Sequence, residues 1–138
     1  MTLVDGYTLR AYLETEYRVL ADPEVTLWID QESPALARLH HDRGVQCSAF
    51  ITSCNPLGAM LDDATNAEHM SALRLDLQRA GFVIVEGVGR SLVGAWSEAS
   101  YLVLAMPLAE ARRWGKRYAQ NTIVWSGSDA TPRLVLLR

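Results

Sequence analysis

Hydrophobic and polar positions along the chain alternate between two periods. Residues 7–13 read as a short helix, and residues 15–20 and 25–29, parted by the turn residues Asp22-Pro23, read as the two strands of a hairpin. Ser33-Pro34 supplies an N-cap and a proline at the first helical position, and Gly44 stands where a left-handed C-cap belongs, so a helix lies between them. Residues 46–52 are apolar on both faces and predict an interior strand. It breaks off in Thr52-Ser53-Cys54-Asn55-Pro56.

Thr65-Asn66-Ala67-Glu68 has capping-box spacing, and Met70, Leu73, Leu77 and Ala80 follow at three- and four-residue intervals, which predicts a helix running to Gly81. Residues 82–86 form the next strand, "GVGRSLVGAW" reads as a glycine-bearing loop containing Gly87, Gly89 and Gly94, and residues 100–104 form another strand. Pro107 opens a last helix whose stripe is Leu108, Ala111, Gly115 and Tyr118, ended by Gln120 and Asn121. Residues 122–125 and 134–137 close the chain as strands. The order αββαβαββαββ predicts an α+β fold with α/β-like features: a single mixed β-sheet flanked by about four helices. Phe50, Ile51, Met70, Leu73, Leu77, Val83, Val85, Leu102 and Leu104 are its expected core. No internal repeat or flexible linker interrupts the 138 residues, so one domain over 1–138 is expected.

A chain of this size buries enough surface to need no metal or disulfide. The two cysteines, Cys47 and Cys54, are seven residues apart, and an odd separation on one strand sends them to opposite faces, so they read as reduced apolar fillers. Thirteen Lys and Arg against sixteen Asp and Glu leave a formal charge of −3, which gives no global attraction to nucleic acid or to an anionic membrane. The opening segment has no basic stretch leading into an unbroken apolar run. No window approaches the ~20 apolar residues of a membrane helix, from which a cytoplasmic location is expected.

Candidate chemistry gathers at the strand end. Thr52, Ser53 and Asn55 offer hydroxyl and amide groups in the loop between an interior strand and a helix, where strand ends and helix N-termini meet ligands, and Pro56 is expected to hold Asn55 extended. Asn66 sits one turn before Met70 on the buried stripe, so its amide points inward and needs a partner, which is either the Asn55 loop or a ligand. Gln120 and Asn121 form a second polar pair at a helix-to-strand junction. Arg90 in the glycine loop offers a fork for an anion, and Glu98 is the one evident general base. The same residues read equally as turn and cap chemistry.

Other constellations are weaker. His40-His41-Asp42 reads as an exposed helix end whose adjacent histidines point apart, so it holds no metal, and His69 borders the apolar stripe. Arg112, Arg113, Lys116 and Arg117 read as a solvated basic face without stacking aromatics. No HExxH, CxxC, GxSxG or phosphate-loop motif occurs, and no cofactor is implied.

"AYLETEYRV", "FITSCNP", the Asn66 helix, "GVGR" followed by "WSEASYLVL", and "RYAQNTIVW" occur in an order similar to that of a bacterial family of small proteins, domain of unknown function family 3293. The resemblance implies no reaction. Two function classes therefore stand open. One is a site for a nucleotide or another phosphorylated metabolite, built from Thr52, Ser53, Asn55, Asn66, Arg90, Gln120 and Asn121 with Glu98 as catalytic base. The other is a non-catalytic interaction module or homodimer without a small-molecule ligand, whose polar residues only brace loops.

Overall fold

The computed structural model describes residues 5–92 and 96–138; Gly94 of the expected loop lies outside them. Short-range chemistry sets where the helices begin. Asp5 caps α1 (Gly6–Leu13) by accepting the Thr8 N–H at 2.7 Å, and Ser33 caps α2 (Pro34–Arg43) through the Leu36 N–H at 3.0 Å. Gly44 ends α2 in the left-handed region at φ 66°. The third helix, α3 (Asp63–Arg79), starts before the Thr65 capping box. Asp62 is its N-cap and accepts the Thr65 N–H at 2.8 Å, since a carboxylate also suits the positive end of the helix dipole. The last, α4 (Leu108–Arg117), stops earlier than expected: Ala119, at φ 56°, sends its N–H to Lys116 O while Gln120 N–H goes to Gly115 O at 2.9 Å. These are the two bonds of a Schellman turn, so Gln120 and Asn121 fall beyond the helix.

Seven strands make one sheet in the order β2-β1-β4-β5-β3-β6-β7, with β1 Thr15–Val19, β2 Val25–Leu27, β3 Ser48–Ile51, β4 Ile84–Ser91, β5 Ser97–Leu104, β6 Thr122–Ser126 and β7 Arg133–Leu136. The class is α+β with the expected element order. Pairing is antiparallel between all neighbours, where mixed pairing was expected. Each helical crossover does join strands that point the same way, but it skips at least one position: β5 fills the gap between β3 and β4, and β3 the gap between β5 and β6. The filler runs the other way in each case.

The two faces carry separate cores. Met70, Leu73 and Leu77 of α3 and Ala111 of α4 pack on Ala49, Ile51, Val103 and Ile123. Leu36 of α2 packs on Val19, Leu27, Phe50, Leu102 and Val124 of the opposite face. Among the expected core residues Val85 is half-buried and Val83 is 58% exposed. Phe82, one residue earlier, is half-buried against the α3 and α4 core and meets Trp114 edge-on at 6.2 Å. His40 also corrects the reading of an exposed helix end. It is buried, with Nε2 2.8 Å from Ser48 Oγ, while His41 and Asp42 are exposed.

The segment Gly87–Ser91 is strand rather than loop. It pairs with β1 on one side (Gly87 with Val19, Gly89 with Tyr17) and β5 on the other (Gly89 with Glu98). Gly87 is there because backbone and a ring approach: a Cβ on it would meet Phe50 Cε2 at 2.7 Å and Arg18 O at 2.8 Å. Strand alternation then decides Arg90. With Gly89 turned toward the α2 face, Arg90 points to the other side and is exposed.

Candidate functional site

Helix α1 contributes no buried residue, and beneath it lies a cleft of about 410 Å³ against the lower end of the α2 face. Thr8, Ala11 and Tyr12 of α1 form its roof, at the three- and four-residue spacing of one helix face. The floor is sheet: Tyr17, Gly89, Glu98, Ser100, Phe50 and Val124. The β3–α3 connection, through Asn55, Leu57 and Met60, closes one side, and Gln120, Asn121 and Thr122 close another. Three hydrogen bonds suspend the roof, the first from Thr15 Oγ1 of β1, which donates to Ala11 O at 2.6 Å. Tyr17 Oη donates to Tyr12 O at 2.8 Å, and Asn121 Nδ2 donates to Tyr12 Oη at 3.3 Å.

The connection after β3 is fully bonded around Asn55. Its backbone N–H donates to Asn66 Oδ1 at 2.9 Å, its Oδ1 accepts from Asn66 Nδ2 and from the Leu61 N–H, each at 2.9 Å, and its Nδ2 donates to Glu98 Oε2 at 2.7 Å. Asn55 is not extended, as Pro56 led one to expect, but left-handed at φ 47°, and Leu57 follows at φ 57°. Asparagine tolerates that region, and the bonds to Asn66 overcome the proline's preference. Leu57 has no such tolerance and stores about 1–3 kcal/mol, held by its surroundings.

Glu98 stands where this network meets the cleft. Asn55 holds Oε2, and Oε1 has no partner among the described residues. Burial pushes its carboxyl above the ordinary glutamate value, against the lowering effect of the Asn55 bond. Burial likewise raises the Tyr12 phenol, with the Asn121 bond opposing it and the Glu98 charge adding to it. Gln120 is buried and spends both amide hydrogens on Cys54 O (3.1 Å) and Tyr118 O (3.2 Å), which leaves its Oε1 as an acceptor without a partner among the described residues.

The eight residues singled out from the sequence thus separate. Thr52, Asn55, Glu98, Gln120 and Asn121 line the cleft. Thr52 has its hydroxyl engaged, donating to Ala99 O at 2.7 Å and accepting from the Cys54 N–H at 3.0 Å. Ser53 is buried against the Met70 sulfur at 3.3 Å and lines neither this cleft nor the second cavity described next. Asn66 stands behind Asn55 and lines a second cavity of about 440 Å³ on the α3 face. That cavity also holds Arg74, which is paired with Glu86 at 2.7 Å and lies over the Tyr101 ring, and Glu98 borders both cavities. Arg90 lines neither. His69 is half-buried and outside both, and the four basic residues of α4 are exposed, with Arg117 paired to Asp76 at 3.2 Å. Trp114 and Tyr118 do stack beside Arg117, which the sequence reading had not foreseen. The aromatic lining, Tyr7, Tyr12, Tyr17, Phe50 and Trp96, was also missed. Its one sequence signal is the Thr8, Ala11, Tyr12 spacing on a helix too short to bury a face of its own.

Among the described residues no group of three or more His, Cys, Asp or Glu could hold a metal ion, and no helix is long and apolar enough to cross a membrane. A family model described as "Protein of unknown function (DUF3293)" matches residues 51–123, just over half of the chain, a span that takes in all eight nominated residues. No curated protein and no solved structure matches the chain.

Proposed function

This chain belongs to the family of proteins of unknown function DUF3293, and we propose that it binds a small organic molecule in the cleft between α1 and the sheet. The observation that carries this reading is the convergence of uncommitted polar atoms, Glu98 Oε1 and Gln120 Oε1, inside a concave space walled by five aromatic rings. The strained, fully bonded Asn55 turn supports the same reading, because it holds Glu98 in place before any ligand arrives.

The interaction module is the second reading. Tyr7 (85% exposed), Met60 (75%) and Leu57 (53%) ring the mouth of the cleft, and a protein surface or a second copy of the chain would cover them.

Gly89 separates the two. A Cβ there meets nothing nearer than 3.9 Å, so the strand admits a side chain at this cleft-lining position, and Gly89→Val, checked for wild-type secondary structure, narrows the cleft. In a thermal-shift screen of chemically mixed metabolites, a ligand at a hundred times its Kd stabilises the wild-type chain by about 2.7 kcal/mol and leaves Gly89→Val unmoved. A screen without hits, together with a concentration-dependent dimer in sedimentation, replaces the ligand cleft by the interaction module.

A further inference from the structure

We infer that the ligand of this cleft is an organic cation, an amine, amidine or guanidine carried on a planar or apolar frame, with its charged N–H groups against Glu98. The inference rests on the cleft being a ligand site and assigns the chemistry of that ligand. It departs from the phosphorylated metabolite expected from the sequence, which Arg90 was to bind.

Charge decides first. Among the described residues no Lys, Arg or His lines the cleft, whereas two carboxylates, Asp5 and Glu98, do. Arg90 points away from the cleft, and Arg74 belongs to the cavity on the other face, where it is already paired with Glu86 at 2.7 Å. The N-terminus of α1, the one helix start at the cleft, is closed to an anion by the Asp5 carboxylate that caps it at 2.7 Å. A phosphate placed here would meet two negative groups and no positive one.

Hydrogen-bond polarity decides second. Both amide hydrogens of Gln120 are spent, on Cys54 and Tyr118, and one of Asn55 is spent on Glu98, so Glu98 Oε1 and Gln120 Oε1 remain as acceptors on residues that line the cleft. A ligand that pairs with these two oxygens brings donors to them. Aromatic faces complete the pattern: Tyr12, Tyr17, Phe50 and Trp96 surround the Glu98 side of the cleft, and rings attract a cation through their electron-rich faces while also burying the apolar frame that carries it. Asn66 acts behind this wall as a positioning residue, since it fixes the Asn55 amide that fixes Glu98.

The test uses benzamidine and agmatine as cationic probes, benzyl alcohol as a neutral one, and adenosine monophosphate and ribose 5-phosphate as anionic ones. At least one cation is expected to raise the Tm of the wild-type chain, with a Kd at least tenfold weaker in Glu98→Gln. Should that variant fold poorly, a carboxyl NMR titration of the wild-type chain gives the same answer: saturating benzamidine must lower the Glu98 pKa. Stabilisation by a neutral or anionic probe and by no cation overturns the cation assignment and leaves the ligand cleft standing. A cation that binds with an unchanged Kd in Glu98→Gln and an unmoved Glu98 titration also overturns it. Silence from all five probes overturns the assignment to this class, while the cleft itself falls only if the mixed screen is silent as well.

Discussion

Asn66 holds Asn55 at two points: its Oδ1 accepts the Asn55 backbone N–H and its Nδ2 donates to the Asn55 Oδ1, both at 2.9 Å. The pair ties the first turns of α3 to the end of β3. Through the Asn55 amide it also reaches Glu98 at 2.7 Å.

Removing the inner partner tests how much that tie is worth. Asn66→Ala leaves a part-buried N–H without its acceptor, at a cost of about 1–3 kcal/mol. The better helix propensity of alanine returns at most ~0.7 kcal/mol, so a net loss is expected in urea denaturation. A variant that melts with the wild-type midpoint would falsify the lock.

Two glycines of β4 are expected to behave oppositely. Gly87→Ala drives a Cβ to 2.7 Å from the Phe50 ring and 2.8 Å from Arg18 O, and backbone cannot step aside, so about 1–3 kcal/mol is lost. Gly89→Ala meets nothing nearer than 3.9 Å and relieves the unfolded chain of glycine's freedom, so it is neutral or stabilises by up to ~1 kcal/mol. Equal melting temperatures for the two variants would show that the Phe50 contact is not tight.

His40 gives a pH signature. Burial beside Ser48 holds its pKa below 6.5, so the native state resists the proton that the unfolded chain accepts at that value. As pH falls below 6.5 the unfolded state therefore binds more protons. Stability is lost from there down through the folded pKa, by at most about 1.4 kcal/mol per pH unit, and is fully present above 6.5. His40→Gln should lose this dependence. A stability difference between the two chains that is constant from pH 5 to pH 8 speaks against a neutral buried imidazole.

Glu98 acts with the opposite sign. Its folded pKa lies above the ordinary value of 4.5, so its contribution is present below that pH and is lost as pH rises through the folded pKa. Glu98→Gln keeps an oxygen for the Asn55 amide without the buried charge. It should be more stable than the wild type at pH 7, with the gap narrowing toward pH 4, as measured by urea midpoints. A gap of the same size at both pH values would mean that burial does not disfavour the carboxylate.

Period and caps in the sequence carry the element order, because they act within a few residues: Ser33 and Gly44 bound α2, and Met70, Leu73 and Leu77 mark the stripe that α3 buries. The same local reading finds polar residues at a strand end, and the structure does bring Asn55, Asn66 and Glu98 into one network. It goes wrong at Gly87–Ser91, where glycines that resemble a loop are strand residues, Gly87 kept small by Phe50, a contact 37 positions away in the chain. The antiparallel sheet, the side of it to which Arg90 turns, and the aromatic cleft under α1 all depend on which strands become neighbours. Strand neighbours are chosen by the joint packing of both faces. A one-residue change of register reverses every side chain, so only the assembled sheet decides that Glu98 meets the Asn55 amide at an aromatic cleft while Arg90 turns to the other side.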